Sequence, residues 1–505
     1  MYFKSAIVGT LIPLLGATTT YGAPTSTCSN SSIEIPPASN QPTGNPSGCN
    51  HTTHFFPQKL YHTGNSSSNK TFLQQYQLIT DFYRPGGPIL FYQGAETAAF
   101  ICAEQISIFD FAKTLGALVV SIEHRYFGIS IPYGLKWEEN PVWPTESLDP
   151  LTIENVSLDT ISLLRWVKKT VPGAEDSKAI LFGGSYAGFL TVHNKNTYSD
   201  FFGALASSPP IIGQVSDPND PLINGIGNQA SSIYGQLSAE GAFRIQKSFD
   251  GVRRRIAQND ISDMKEKYNL CTAPRTLANA TYVLEGFLNA FSFIAEFNWP
   301  PAVFDPSITI AYPAEAAINE IAALEAPFED SEPIRIGVKY WGQANGAKCL
   351  DWETTIRGDG SVPYSWIRCH YLKHPDAFTS EGSIFGYLPP DKSAKNALDA
   401  RCQSDFSIDA TDGGLAHQQK LKTSLEDVVN GQRLVVSTGE YDSATGATFP
   451  RWAPGPAFND TKPFFVSRAA HIADLLRETK FDREGVKDAR RAELEVIKGW
   501  LGSEA

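Results

Sequence analysis

No internal period, no heptad run and no excess of basic charge marks this 505-residue sequence, and each absence removes a class of protein. Without a repeat it is no solenoid, and without heptads no coiled coil. The formal net charge is −12 at pH 7. That is the wrong sign for neutralising phosphates, so nucleic acid is excluded as a partner. Beyond the N-terminus no apolar run reaches the roughly twenty residues a spanning helix needs, so no membrane span is expected. The 40 glycines and 33 prolines are scattered rather than clustered, which speaks for many loops in a globular chain. With 42% hydrophobic residues the chain can bury a large core, and its length exceeds one ordinary compact domain.

The N-terminus is organised differently. Lys4 precedes an apolar run from Ala6 to Ala17, and small or hydroxylated residues follow from Thr18 to Ala23. This is the layout of a cleaved secretory signal over residues 1–22, too short for an anchor. A secreted, extracellular protein is expected, with a vacuole or another acidic lumen as the alternative. Seven cysteines in an oxidising compartment then read as three disulfides and one free thiol. Cys28 and Cys49 bracket a Pro/Ser/Asn-rich stretch and could close it as a local loop. Sequons at Asn30, Asn50, Asn65, Asn69, Asn155, Asn279 and Asn459 are expected glycosylation positions on the surface.

Along the chain, Phe72–Ile79, Pro88–Tyr92, Ala117–Ile122 and Ala179–Phe182 read as buried strands. Between them, Ile106, Phe109 and Ala112 fall at helical intervals. Ser157 reads as the N-cap of a helix carrying Leu158, Ile161, Leu164 and Val167, which Val171-Pro172-Gly173 stops. Strands alternating with helices predict a parallel sheet covered on both faces. After Pro209-Pro210 the pattern turns helical up to about residue 400, as in Leu237–Ile256. Strands resume at Arg433–Ser437 and Pro463–Val466, and an amphipathic helix over Ala489–Leu501 closes the chain.

The strand Ala179–Phe182 runs straight into Gly183-Gly184-Ser185-Tyr186-Ala187-Gly188, a serine between small residues at a strand-to-helix corner. Such a corner exposes a strained nucleophile and tolerates no bulk two residues to either side. Gly183 and Ala187 occupy those positions, so Ala stands where glycine is usual. The Tyr186 N–H would then be one oxyanion donor. A serine nucleophile needs a base, and the base a carboxylate, in the chain order Ser, Asp, His. His471, after the strand Pro463–Val466 and before the expected helical stretch Ile472–Leu476, is the histidine in the right place. Asp442 follows Leu434–Ser437 and is the expected acid. Glu440 is a close rival and Asp460, inside a sequon, a weaker one.

With these residues placed, the sequence resembles the family of prolyl carboxypeptidase, dipeptidyl peptidase II and related fungal prolyl peptidases. The strongest markers are Glu123-His124-Arg125-Tyr126-Phe127-Gly128-Ile129-Ser130 and the Ser185 hexapeptide. Weaker ones are Pro85–Ile89, Gly203–Pro209 and Ala470–Leu475, and the likeness spans roughly residues 55 to 490. The resemblance implies an α/β-hydrolase fold with a helical cap domain, and cleavage at proline near a peptide terminus, commonly in acid. It implies the catalytic residues Ser185, Asp442 and His471, and Ala95 as the second oxyanion donor. It matches Glu96 to a carboxylate near the substrate terminus, although a structural loop role fits Glu96 equally. It also implies the disulfides Cys369–Cys402 and Cys271–Cys349, leaving Cys102 free. For Glu123-His124-Arg125-Tyr126 a structural role, locking the strand end, is expected. Two departures touch specificity: the family usually has Pro-Trp after its acid where this chain has Ser443-Ala444-Thr445, and Gly after the glutamate where it has Thr97-Ala98.

The expected domain plan is a signal peptide (1–22), a leader (23–52), the first hydrolase part (53–210), a helical insertion (211–400) and the second hydrolase part (401–505). The expected activity is a serine-type exopeptidase acting through an acyl-enzyme, of the Pro-Xaa carboxypeptidase or dipeptidyl-peptidase type. The alternatives are an esterase on the same fold and a catalytically inactive secreted binding protein. Partners are peptide substrates, with a homodimer left open, and neither cofactor nor metal is expected.

Overall fold

The computed structural model describes residues 48–502 apart from 64–68, 98, 135–144, 212–224, 302–309, 354–361, 373–378, 388–401, 404, 409–420, 422–424 and 448–459. The signal segment, Cys28, Asn30, Asn65 and Asn459 therefore lie outside the described residues.

Eight strands form one sheet: β1 (Thr53–Lys59), β2 (Thr71–Ile79), β3 (Ile89–Tyr92), β4 (Leu118–Ile122), β5 (Ala179–Gly184), β6 (Gly203–Ser207), β7 (Leu434–Gly439) and β8 (Thr461–Val466). Their order is β1-β2-β4-β3-β5-β6-β7-β8. β2 runs antiparallel to β1 and β4, and every later pairing is parallel. The central strands are buried along their whole length because helices cover both faces, as their unbroken apolar runs require. The pleat divides them: Ile180 and Phe182 join Phe111, Leu115 and Ile497 on one face. Ala179 and Leu181 join Ile161, Leu164, Val167 and Val192 on the other. The first face is thus covered by α1 (Ile108–Leu115) and the C-terminal helix, numbered α12 below, and the second by α2 (Ile153–Thr170) and α3 (Tyr186–Thr197). A mixed eight-stranded sheet with the serine elbow after β5 is the α/β-hydrolase fold.

Two details depart from the sequence reading. α2 begins at Ile153, capped by the Thr152 hydroxyl, which accepts from Asn155 N at 3.1 Å. Ser157 is interior, and its hydroxyl turns back to the Ile153 carbonyl at 2.8 Å, an alternative use of the same polar side chain. Ile472–Leu476 is a succession of turns rather than a helix, with Ile472 at φ 48°.

Between β6 and β7 the chain forms α4 (Gly225–Leu237), α5 (Ala239–Ala257), α6 (Met264–Tyr268), α7 (Leu277–Glu296), α8 (Pro313–Ala322) and α9 (Glu332–Asn345). These enclose their own core, in which Tyr234, Phe249, Phe287, Phe291 and Ile318 are all fully buried. Tyr441, from the loop after β7, belongs to that core and joins it to the sheet. Next, α10 (Val362–His370) packs with Tyr126, Phe127, Tyr186 and Phe189. The short α11 (Leu425–Val429) leads into β7, and α12 (Glu484–Leu501) ends the fold. No helix among the described residues is long and apolar enough to cross a membrane.

Three disulfides are present: Cys49–Cys102, Cys271–Cys349 and Cys369–Cys402. The first corrects the sequence reading, which closed Cys49 on Cys28 and left Cys102 free. Residues just after Cys49 dock on the turn after Cys102, where Asn50 N and His51 N donate to the Glu104 carboxylate. That contact brings the two Cα atoms to 5.5 Å, within bonding reach. Disulfides of this number belong to a secreted or lumenal compartment. Asn155 is a second correction. It is 5% exposed, accepts from His62 N at 3.0 Å and donates to the Pro150 carbonyl at 3.0 Å, so its amide is not open to a glycan. Asn50 and Asn69 are exposed and Asn279 half-buried.

Candidate active site

All strands from β3 to β8 share one direction, so their C-terminal ends line one edge of the sheet. Tyr92 of β3 pairs with Phe182 of β5, Gly184 of β5 with Ser207 of β6, and Gly439 of β7 with Val466 of β8. The loops carrying Ala95, Ser185, Asp442 and His471 therefore open onto the same edge.

Ser185 sits between β5 and α3 at φ 56° and ψ −129°, a conformation L-residues rarely adopt. Ser185 N donates to the Ser207 carbonyl at 2.9 Å, and Ser185 O accepts from Phe189 N at 3.0 Å, which holds the corner in place. A Cβ on Gly183 would lie 2.3 Å from the Ala187 carbonyl oxygen, so only glycine fits there. The constraint is one-sided, because Ala187 carries its methyl group fully buried at the opposite position. Tyr186 opens α3, so its N–H has no acceptor within the helix and belongs to the positive end of the helix dipole.

His471 is 2% exposed, and its Nδ1 lies 2.9 Å from Asp442 Oδ2. Asp442 is fully buried, and its Oδ1 accepts from Ala444 N at 2.9 Å. Both carboxylate oxygens are thus engaged, which fixes the imidazole through Nδ1 and leaves Nε2 away from Asp442. The two rivals lie apart. Glu440 accepts from Ser467 Oγ at 3.2 Å and Arg468 N at 2.9 Å. Asp460 accepts from Arg433 N at 3.0 Å, at the opposite end of the sheet. Burial alone would lower the basicity of His471, but Asp442 and Glu296 outweigh it and raise its pKa.

Ala95 is buried in the loop after β3. Gly94 before it approaches β4 so closely that a Cβ would stand 2.3 Å from the Ile122 carbonyl oxygen. Glu96 has one buried carboxylate oxygen, Oε2, without a hydrogen-bond partner among the described residues. Burial raises its pKa, opposed by its own backbone N–H and by His471. The marker around Arg125 lies beneath the site: His124 Nε2 is 3.2 Å from the Tyr186 hydroxyl, and Arg125 and Asp159 form a buried pair at 2.5 Å.

Sequence reasoning did not single out the residues that reach the site from α7. Glu296, the last residue of that helix, is 2% exposed, and its Oε1 stands 3.5 Å from His471 Nε2. Its carbonyl accepts from His471 N at 2.9 Å, while Trp299 Nε1 donates to the His471 carbonyl at 2.7 Å. Phe297 meets the imidazole edge-on with centroids 5.8 Å apart. Ser443, where the family usually has proline, donates to the Ser292 carbonyl of α7 at 3.1 Å. The backbone of His471 is thus held from the helical body. No local signal betrays Glu296, since it lies at the end of an amphipathic helix far from the motifs. Glu296, Asp442 and His471 also bring potential metal-ligand atoms within 4.8 Å of one another. Asp442 Oδ2 is bonded to His471 Nδ1, an arrangement suited to orienting a base.

The serine carboxypeptidase S28 family profile matches residues 58–303. The lysosomal Pro-X carboxypeptidase of Homo sapiens is 26% identical over 472 residues, covering 90% of this chain and 88% of that one. The Mus musculus protein of the same name is 25% identical over 510 residues, covering 97% and 96%. The prolyl carboxy peptidase like protein 5 of Caenorhabditis elegans is 34% identical over 474 residues, covering 85% and 86%. A likeness of that depth across nearly the whole of both chains leaves one assignment: this chain belongs to the serine carboxypeptidase S28 family and is a serine-type peptidase.

Proposed function

We propose that this protein is a Pro-Xaa carboxypeptidase, releasing the C-terminal residue that follows a proline, and that Ser185, Asp442 and His471 carry the chemistry. In this reading Ser185 Oγ attacks the prolyl carbonyl while His471 Nε2 accepts its proton. Asp442 holds the imidazole through Nδ1 and stabilises its protonated form. The amides of Tyr186 and Ala95 receive the oxyanion. His471 then protonates the leaving nitrogen, and water, activated by the same imidazole, hydrolyses the acyl-enzyme. The observation that carries the reading is the 2.9 Å bond between buried Asp442 and His471 at the sheet edge where Ser185 is strained. The names of the relatives, Pro-X carboxypeptidase and prolyl carboxy peptidase like protein, favour release from the carboxyl end. The placement would be extracellular after secretion, in keeping with the N-terminal signal.

The test is covalent labelling by a fluorophosphonate together with mass-spectrometric profiling of a peptide library at about pH 5. Labelling that Ser185→Ala abolishes, with single residues released after proline, is the expected result. Absence of labelling across acid and neutral pH would remove Ser185 as nucleophile. Labelling with ester turnover but no peptide cleavage would convert the protein into an esterase.

A further inference from the structure

Glu296 is not needed for the serine mechanism, yet it occupies a place that mechanism makes specific. His471 Nε2 is the atom that delivers the proton to the leaving nitrogen, and Glu296 Oε1 stands 3.5 Å from it. In a peptide with a free carboxyl end, the terminal carboxylate follows that nitrogen within one residue, about 3.5 Å of chain. Both Glu296 Oε1 and Nε2 are buried and make no hydrogen bond to any described residue. A neutral carboxyl group is a donor, whereas a carboxylate only accepts. Asp442 and Glu96 disfavour a further negative charge beside them and so hold the Glu296 carboxyl in its neutral, donating form, against the opposing pull of His471.

We propose that Glu296 is a specificity-determining residue that donates a hydrogen bond from its protonated carboxyl to the free α-carboxylate of the leaving residue. This rests on the carboxypeptidase reading above and deepens it by naming the group that reads the substrate terminus. Burial, reinforced by Asp442 and opposed by His471, raises the pKa of Glu296 and keeps it protonated well above the usual carboxylate range. Recognition therefore holds in acid and fails as pH rises, when two anions would face each other. A hydrogen bond to a charged group is worth about ten- to a hundredfold in binding.

The experiment compares an N-blocked Ala-Pro-Phe tripeptide as its free acid and as its C-terminal amide, from about pH 5 to about pH 9. Wild-type protein is expected to show a KM for the acid that rises at least about tenfold across this range, while KM for the amide stays level. In Glu296→Gln the amide side chain cannot ionise, so the rise disappears. In Glu296→Ala the KM for the acid at about pH 5 rises about tenfold or more, while the amide shifts by less than about threefold. Fluorophosphonate labelling reports whether each variant keeps its folded site, and the isosteric Gln variant decides alone if Ala does not fold. Equal losses on acid and amide, or a Gln variant with the wild-type pH dependence, would overturn the proposal, as would a wild-type enzyme indifferent to the carboxylate. If the wild type labels but cleaves only peptides with a free amino terminus, the carboxypeptidase reading itself falls.

Discussion

Arg125 offers the sharpest test of how the region beneath Ser185 is built. Its guanidinium is fully buried and every N–H is bonded. Nε and Nη2 donate to the two Asp159 oxygens at 2.6 and 2.5 Å. Nη1 donates to the Leu60 and Pro150 carbonyls at 2.9 and 2.8 Å, and Nη2 also to the Lys59 carbonyl at 3.0 Å. One side chain thereby ties the end of β1, the start of α2 and the strand end of β4. Replacing it by methionine leaves Asp159 with only His62 Nε2 at 2.8 Å and Gln74 Nε2 at 3.3 Å. Breaking a buried pair in this way costs about 3–5 kcal/mol. Arg125→Lys keeps the charge but offers three donors from a single point, so at least two acceptors lose their bond. A loss of about 2–3 kcal/mol follows at the usual penalty for unsatisfied buried groups. Urea unfolding followed by tryptophan fluorescence measures both, with midpoints falling in the order wild type, Lys, Met. A Met variant within about 1 kcal/mol of wild type would refute the reasoning. So would a folded Lys variant of undiminished stability that no longer labels with fluorophosphonate, because Arg125 would then act in the chemistry instead of the scaffold.

Three further outcomes follow from the same structure. Asp442→Asn should lower kcat about 10⁴-fold through loss of the correct tautomer while the fold persists; a fall under tenfold in a peptide assay would exclude Asp442 as the orienting acid. Cys102→Ser opens a loop of 53 residues and should destabilise by about 4 kcal/mol, read as a lower melting temperature than wild type under non-reducing conditions. Equal melting temperatures would deny the Cys49–Cys102 bond a structural role. Burial raises Glu123 from 4.5 to about 7 and Glu493 well above 4.5, so folding takes up protons at these sites. Their folded forms bind protons that the unfolded chain releases above about 4.5, and stability should fall as pH rises from there to about 7. His124, lowered by burial to about 4, acts oppositely as pH falls below 6.5. Glu96 and Glu296 are raised by burial in the same direction, and His54 is lowered like His124, so four carboxyls against two histidines leave the net slope negative. Melting should be higher at about pH 5 than at about pH 7, and a reversed order would contradict the burial of these carboxyls.

The most legible parts of the sequence were those whose physics is local. Ala179–Phe182 is a strand because an unbroken apolar run can be buried on both faces. Ser185 could be picked out because the small residues beside it answer a steric demand of the next few bonds, as Gly183 does against Ala187. β1 and β6 were passed over, because β1 lies at the sheet edge with mixed burial and β6 is short and rich in alanine. The start of α2 was misplaced for a similar reason, since Thr152 and Ser157 are equally good caps and only packing chooses between them.

Pairings across the chain were a different matter. Asp442, Glu440 and Asp460 are alike as residues, and the choice among them depends on which carboxylate the strand ends bring to His471. Cys102 met Cys49 through the docking of residues 50 and 51 on Glu104, a contact with no mark in either segment. Glu296 is the clearest case: nothing in α7 distinguishes it until the helix ends against the His471 loop. The sequence by itself determined the corner that strains Ser185 and the chain order of its candidate partners, because these depend on neighbouring residues. Only the tertiary structure decided which carboxylates face the imidazole and which of them is denied water, because burial and charge proximity are properties of elements that meet from distant parts of the chain.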